Sequence, residues 1–173
     1  MKKTLKLVLL TFAVAVIAAY GCDTQTRNNG KTEQNWTYME DKDPMDGTAR
    51  HFANNTSINK IDFEFPYNGG SSFKLTLREM GYGNEVLIRV SSGQFLTDAL
   101  NGVTIRAKFD ENQPINYTYQ TPSDGSLDMI FIDEAESFIE NLKTAKKLKI
   151  EAQFYNEGSK IIEFDVDGLT WNK

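Results

Sequence analysis

The sequence predicts a mainly β protein: an antiparallel β-sandwich with one α-helix before its C-terminal hairpin. Three observations predict it. Six runs alternate apolar and polar residues with a period of two. Clusters of Gly, Asn, Asp and Ser separate most of them. One stretch alone, residues 133–147, changes to helical spacing. Successive side chains on a strand point to opposite faces, so each alternating run reads as a strand with one buried and one wet face.

The runs follow in order. Ile61, Phe63 and Phe65 alternate with Asp62 and Glu64. Phe73, Leu75 and Leu77 alternate with Lys74, Thr76 and Arg78. Val86, Ile88 and Val90 share one face, with Arg89 on the other. Val103, Ile105, Ala107 and Phe109 alternate with Thr104, Arg106 and Lys108. Leu148, Ile150, Ala152 and Phe154 form a further apolar face, and Ile162, Phe164 and Val166 the last. Residues 36–41 and 115–120 carry weaker strand patterns. Residues 127–132 are apolar on both faces, which predicts a central strand. In residues 133–147, Ala135, Phe138, Ile139 and Leu142 fall at helical spacing. Acids lead that stretch and lysines close it, as the helix dipole prefers. Lys143, Lys146, Lys147 and Lys149 are read as that closing charge. Asn156-Glu157-Gly158 between two clean runs predicts a hairpin. One apolar core should collect Phe73, Leu75, Leu77, Val103, Ile105, Ile150 and Phe164.

The N-terminus carries a separate message. Lys2, Lys3 and Lys6 precede an apolar run over residues 7–19, interrupted only by Thr11. A run of about 13 is short of the roughly 20 residues a spanning helix needs. A cationic start, a short apolar core and small residues behind it describe a secretion signal. Ala18-Ala19-Tyr20-Gly21-Cys22 resembles the bacterial lipobox. The resemblance implies cleavage after Gly21 and acylation of Cys22, with two or more chains giving stable attachment. Cys22 is the only cysteine of the chain, so no internal disulfide can form. The expected organisation is a signal over 1–21, a lipidated Cys22 with a polar tether over 22–34, and one β-sandwich-like domain over 35–173. The expected location is the bacterial cell envelope, with the outer membrane favoured over the inner, and the membrane is reached through lipid on Cys22.

Charge narrows the function classes. The formal charge of −5 becomes −8 once Lys2, Lys3 and Lys6 leave with the signal. An acidic domain without long basic runs argues against nucleic acid, whose binding rests on phosphate neutralisation.

The order Phe73-Lys74-Leu75-Thr76-Leu77-Arg78, Glu85-Val86-Leu87-Ile88, Gln94-Phe95-Leu96, residues 103–110, Ser126-Leu127-Asp128, Phe138-Ile139-Glu140-Asn141-Leu142 and Phe164-Asp165-Val166-Asp167-Gly168-Leu169 resembles the VasI family. These are small exported proteins encoded with type VI secretion systems. The shared motifs are strand-and-turn patterns without a catalytic signature, so the resemblance gives no residue a role.

Chemistry-bearing residues are few. Glu40, Asp41, Asp43 and Asp46-Gly47 form the densest acidic cluster. Calcium takes several oxygen ligands, which makes Asp41, Asp43 and Asp46 the metal candidates. Met45 stands where the EF-hand pattern needs its third oxygen, and Phe52 where it needs the bidentate Glu. A solvated turn is the simpler expectation. His51 is the only histidine, and no Gly-x-Ser-x-Gly elbow accompanies it. Phosphate loops, paired cysteines and dinucleotide glycine patterns are missing from the sequence. Trp36, Tyr67, Tyr82 and Trp171 are the binding candidates, since exposed aromatics can stack on sugars or anchor a protein. The resulting expectation is a non-enzymatic, cofactor-free, lipid-anchored protein that binds another envelope protein as accessory, inhibitor or assembly factor. A glycan- or peptidoglycan-binding module is the alternative, and an unrecognised carboxylate hydrolase the second alternative.

Overall fold

The computed structural model describes residues 35–97 and 103–173. The signal, Cys22 and the tether lie outside the described residues. Nine strands and one helix follow in order: β1 (Thr37–Lys42), β2 (Ala49–Thr56), β3 (Phe73–Glu79), β4 (Asn84–Val90), β5 (Thr104–Phe109), β6 (Ile115–Gln120), β7 (Met129–Ile132), α1 (Ala135–Thr144), β8 (Lys147–Phe154) and β9 (Gly158–Asp165). All neighbours pair antiparallel, in the spatial order β1-β2-β3-β4-β7-β6-β5-β8-β9. The protein is mainly β, with its helix before the final hairpin, as the periodicity predicts. β7 is the fifth of nine, which answers to its apolar character on both faces.

The sheet folds onto itself, so the inner faces of its two halves meet. Phe73 on β3 contacts Phe154 on β8, with ring centroids 5.7 Å apart. Phe154 also meets Phe63 at 5.0 Å and Phe95 at 4.8 Å. Phe73, Leu75, Leu77, Ile105, Ile150 and Phe164 are all fully buried in one cluster, with Val103 packed partly against it. α1 closes one end of this core with Phe138, Ile139 and Leu142. Phe138 packs edge-on against Phe109 and Tyr117. Gly93 sits against the Phe63 ring at φ +140, where a Cβ would come within 2.8 Å of the ring. Only glycine fits there without moving the aromatic cluster.

Three expectations need correction. Residues 61–65 are not a ladder strand. Ile61 makes one isolated bridge to Ser71; Ile61 and Phe63 are buried, while Phe65 is 89% exposed. The segment covers the rim of the core, and burial of two alternate residues imitates a strand's period. β2 was not expected, because its sequence ARHFANNT shows no clean alternation. Its inner face carries polar Asn55, whose Nδ2 donates to the Asp165 carbonyl at 2.7 Å. Finally, α1 ends at Thr144, so Lys147 and Lys149 belong to β8; within the lysine cluster, Lys143 lies in the last helical turn.

Candidate binding surface

The sequence-predicted candidates separate under inspection. Trp36 and Trp171 are core residues, 2% and 3% exposed. The Trp36 Nε1–H donates to the Val166 carbonyl at 2.9 Å, and that of Trp171 to Asn84 Oδ1 at 2.9 Å. Each indole has its polar atom satisfied and its ring enclosed, so neither offers a free face. Tyr67 packs partly against the core. Tyr82 is exposed on the loop before β4. The four do not form a row.

The acidic cluster forms the β1–β2 hairpin turn. Asp43 Oδ1 accepts the Met45 amide at 2.8 Å, and Asp46 Oδ1 accepts the Thr48 amide at 2.8 Å. The Thr48 bond holds the Asp46 carboxyl below its ordinary value. Arg50 takes both oxygens of Asp41, at 2.7 and 2.9 Å, and approaches Asp43 at 3.5 Å. Asp41, Asp43 and Asp46 therefore serve the turn and Arg50. Among the described residues, no group of three or more His, Cys, Asp or Glu side chains is arranged to hold a metal ion. His51 lies on the inner face of β2, its Nδ1 3.4 Å from Glu40 Oε2. Asp165 Oδ1 accepts from Asn35 Nδ2 at 2.9 Å.

The surface that gathers most chemistry is the outer face of β1, β2, β3, β4 and β7. The register sets side chains in rows across it. One row runs Met39, Phe52, Arg78, Glu85. The next runs Asn54, Thr76, Leu87, Phe131, Gln120. A third runs Lys74, Arg89, Met129. Phe52, Met129 and Phe131 are half-buried, Leu87 is nearly buried and Met39 is exposed. These apolar groups stand on the opposite side of the sheet from the core.

Arg78 organises the middle of this face. Its guanidinium lies 5.2 Å from the centroid of the Phe131 ring, and its Nε contacts Glu85 Oε2 at 2.5 Å. Two depressions meet at it. One, of about 350 Å³, runs over Met39, Phe52, Leu87 and Met129. The other, of about 520 Å³, is walled by Asn84, Gln120, Asp124, Phe131 and Asp133. Gln120 Nε2 donates to Asp133 Oδ1 at 2.7 Å. The Asp124 carboxyl accepts the Ser126 amide, which holds it below its ordinary value. A general acid needs the opposite shift.

Sequence reasoning passed over Phe52, Leu87, Met129 and Phe131. A signal for three of them existed. Val86-Leu87-Ile88 leaves Leu87 on the face opposite the core, and residues 127–132 are apolar on both sides. For Phe52 there was none, because β2 itself lacks a period.

No family model matches the chain, and no curated protein matches it either. The VasI resemblance therefore rests on its strand-and-turn pattern. Among solved structures, the chain is similar to invasion associated protein b from Bartonella henselae, with a TM-score of 0.45 and 15% identity. That likeness covers 78% of this chain and 85% of the other.

Proposed function

We propose that this chain is a non-enzymatic binding domain of the bacterial cell envelope, held at the outer membrane by lipid on Cys22, and that it docks another envelope protein on the outer face of β1–β4 and β7. One observation carries the reading: Met39, Phe52, Leu87, Met129 and Phe131 line the solvent side of a sheet whose other side already supplies the core. Interface centres are rich in Met, Phe and Arg, and Arg78 over Phe131 adds the third of these. The lipobox-like segment before Cys22 supports the anchor. The rhythm shared with the VasI family supports an exported protein.

Two experiments test the parts separately. Cys22→Ser should release the protein from membranes or leave the signal uncut; unchanged processing and fractionation would reject the anchor. A photo-cross-linking residue at Lys74, on the outer face, should yield a specific adduct in the native envelope. Met129→Glu should remove that adduct. An adduct that survives Met129→Glu would reject the face.

A second reading has its own observation. Asn84, Gln120, Asp124 and Asp133 around Phe131 bring planar polar groups beside an aromatic ring, the combination that holds sugars. Glycan binding in the larger depression would survive Met129→Glu and fail with Gln120→Ala.

A further inference from the structure

The two ends of the strand order are finished differently. The outer edge of β9 is covered by the chain that leaves β2. Asn55 Nδ2 donates to the Asp165 carbonyl, Ile58 N–H to the Glu163 carbonyl at 2.8 Å, and Asn59 Nδ2 to the Ile161 carbonyl at 2.9 Å. The Glu163 amide donates back to Asn59 Oδ1 at 2.9 Å. At the other end stands β1, with all six residues exposed.

The ladder shows which backbone groups of β1 are free. Asp43 N–H donates to the Thr48 carbonyl at 2.8 Å, one step past the Lys42–Ala49 pair. Backbone groups alternate in direction along a strand, so Asp41, Met39 and Thr37 bond toward β2. Tyr38, Glu40 and Lys42 then aim their N–H and C=O groups away from it. β2 gives the same parity from its other side. Ser57 N–H donates to the Phe73 carbonyl, which assigns the odd residues of β2 to β3 and the even ones to β1. Among the described residues, no backbone group pairs with Tyr38, Glu40 or Lys42 along this edge, although the Lys42 carbonyl accepts from the Arg50 side chain, Nη2, at 3.4 Å.

We infer that the β1 edge accepts an extended, basic segment of the partner as a tenth strand. This rests on the envelope-partner reading above and names how the partner is held. An open edge is a template for strand addition, where main-chain bonds give affinity and alternate side chains give selectivity. The side chains indicate the charge of the incoming strand. Glu40, Asp41, Asp43 and Asp46 outnumber Lys42 and Arg50 in this hairpin, and the whole domain is acidic. On the outer face, an apolar residue of the added strand would stand beside Met39, which itself neighbours Phe52, so the row continues the docking face. A second copy pairing about Glu40 or Asp41 would set like charges opposite each other, which disfavours those registers.

The test uses the full chain in its native envelope, with a photo-cross-linking residue at Lys42 or at Lys74. Lys42 should give an adduct with a partner's basic segment, identified by the mass of the cross-linked peptide. Glu40→Pro should reduce it at least tenfold, because proline removes an outward N–H. Met39→Pro, which removes a rung shared with β2, should instead lower the melting temperature. An adduct at Lys74 alone, indifferent to Glu40→Pro, overturns the edge and leaves the face standing. No adduct at either position overturns both. A Lys42 adduct of twice the chain's mass, or one to an acidic segment, overturns the basic partner. Should Glu40→Pro fail to fold, amide exchange decides. A synthetic hexapeptide alternating lysine and valine should slow exchange at Tyr38, Glu40 and Lys42. Equal slowing by its glutamate counterpart, or none by either, overturns the inference.

Discussion

The two outer faces of the folded sheet differ in what surrounds their ion pairs. On β5, β8 and β9, nearly every cation has an anion. Arg106 meets Glu151 at 2.6 Å, Lys149 meets Glu163 at 3.0 Å and Lys108 meets Glu111 at 2.8 Å. Lys108 and Lys149 stand directly opposite each other in the ladder, and the two glutamates relieve that repulsion. On β1–β4 and β7, Arg50, Arg78 and Arg89 are paired as well, with Asp41, Glu85 and Asp128, but they share the face with Phe52, Leu87, Met129 and Phe131, and Arg78 covers an aromatic ring. A face made mostly of exposed ion pairs has little apolar surface to gain from burying. A face that leaves apolar groups half-covered gains by burying them.

The comparison holds only if both faces belong to one core, and the largest effect tests that. Leu77→Ala on β3 and Ile150→Ala on β8 should each cost about 2–5 kcal/mol in denaturant unfolding, with one cooperative transition throughout. Two separated transitions would mean that the halves fold independently and that their faces need separate accounts.

The next effect bears on the faces themselves. Phe131→Ala should weaken partner binding by about 2 kcal/mol, roughly thirtyfold, as an anchor at an interface centre does. Arg106→Ala, on the opposite face, should leave the same titration unchanged. Equal losses from both would erase the distinction.

A smaller effect probes the seam. Tyr119 on β6 joins the halves and donates its O–H to the Leu96 carbonyl at 2.7 Å. Burial pushes this phenol from 10.0 up to about 12. The unfolded chain ionises first, so stability should hold below pH 10 and fall between pH 10 and about 12. Tyr119→Phe should cost about 1 kcal/mol at neutral pH and flatten that fall. An unaltered slope would show that another group sets the alkaline limit.

These regions were not equally legible in the sequence. β3, β4, β5, β8 and β9 read clearly, because each has one wet and one dry face and period two records nothing else. β2 did not, for the reason that makes it interesting. Phe52 faces outward and Asn55 inward, so the pattern cancels. Residues 61–65 failed in the opposite sense, with a period produced by rim packing instead of a ladder. Trp36 and Trp171 look like binding aromatics in sequence, since only the fold shows that both indole N–H groups find internal acceptors. The register, which a single sequence does not contain, is what brings Met39, Phe52 and Arg78 into one row.

The smallest effect expected is on the charged face, and it is informative because it is small. A double-mutant cycle on Arg106 and Glu151 should give a coupling of about 0.2–1 kcal/mol, since exposed pairs are screened and lose side-chain entropy when fixed. Arg106 is exposed and Glu151 half-buried on the outer side of the ladder. Glu151 also accepts the Ser159 hydroxyl at 3.0 Å, so Glu151→Ala removes two contacts, and the cycle isolates the arginine's share. Raising the salt concentration should shrink the coupling toward zero, because the Debye length falls from about 10 Å at 0.1 M to about 3 Å at 1 M. Partner binding to the opposite face, if apolar burial dominates it, should change far less over the same range. A coupling well above 1 kcal/mol that resists salt would mean that the pair is shielded from water by something seated on β5, β8 and β9. The charged face would then be the one in use.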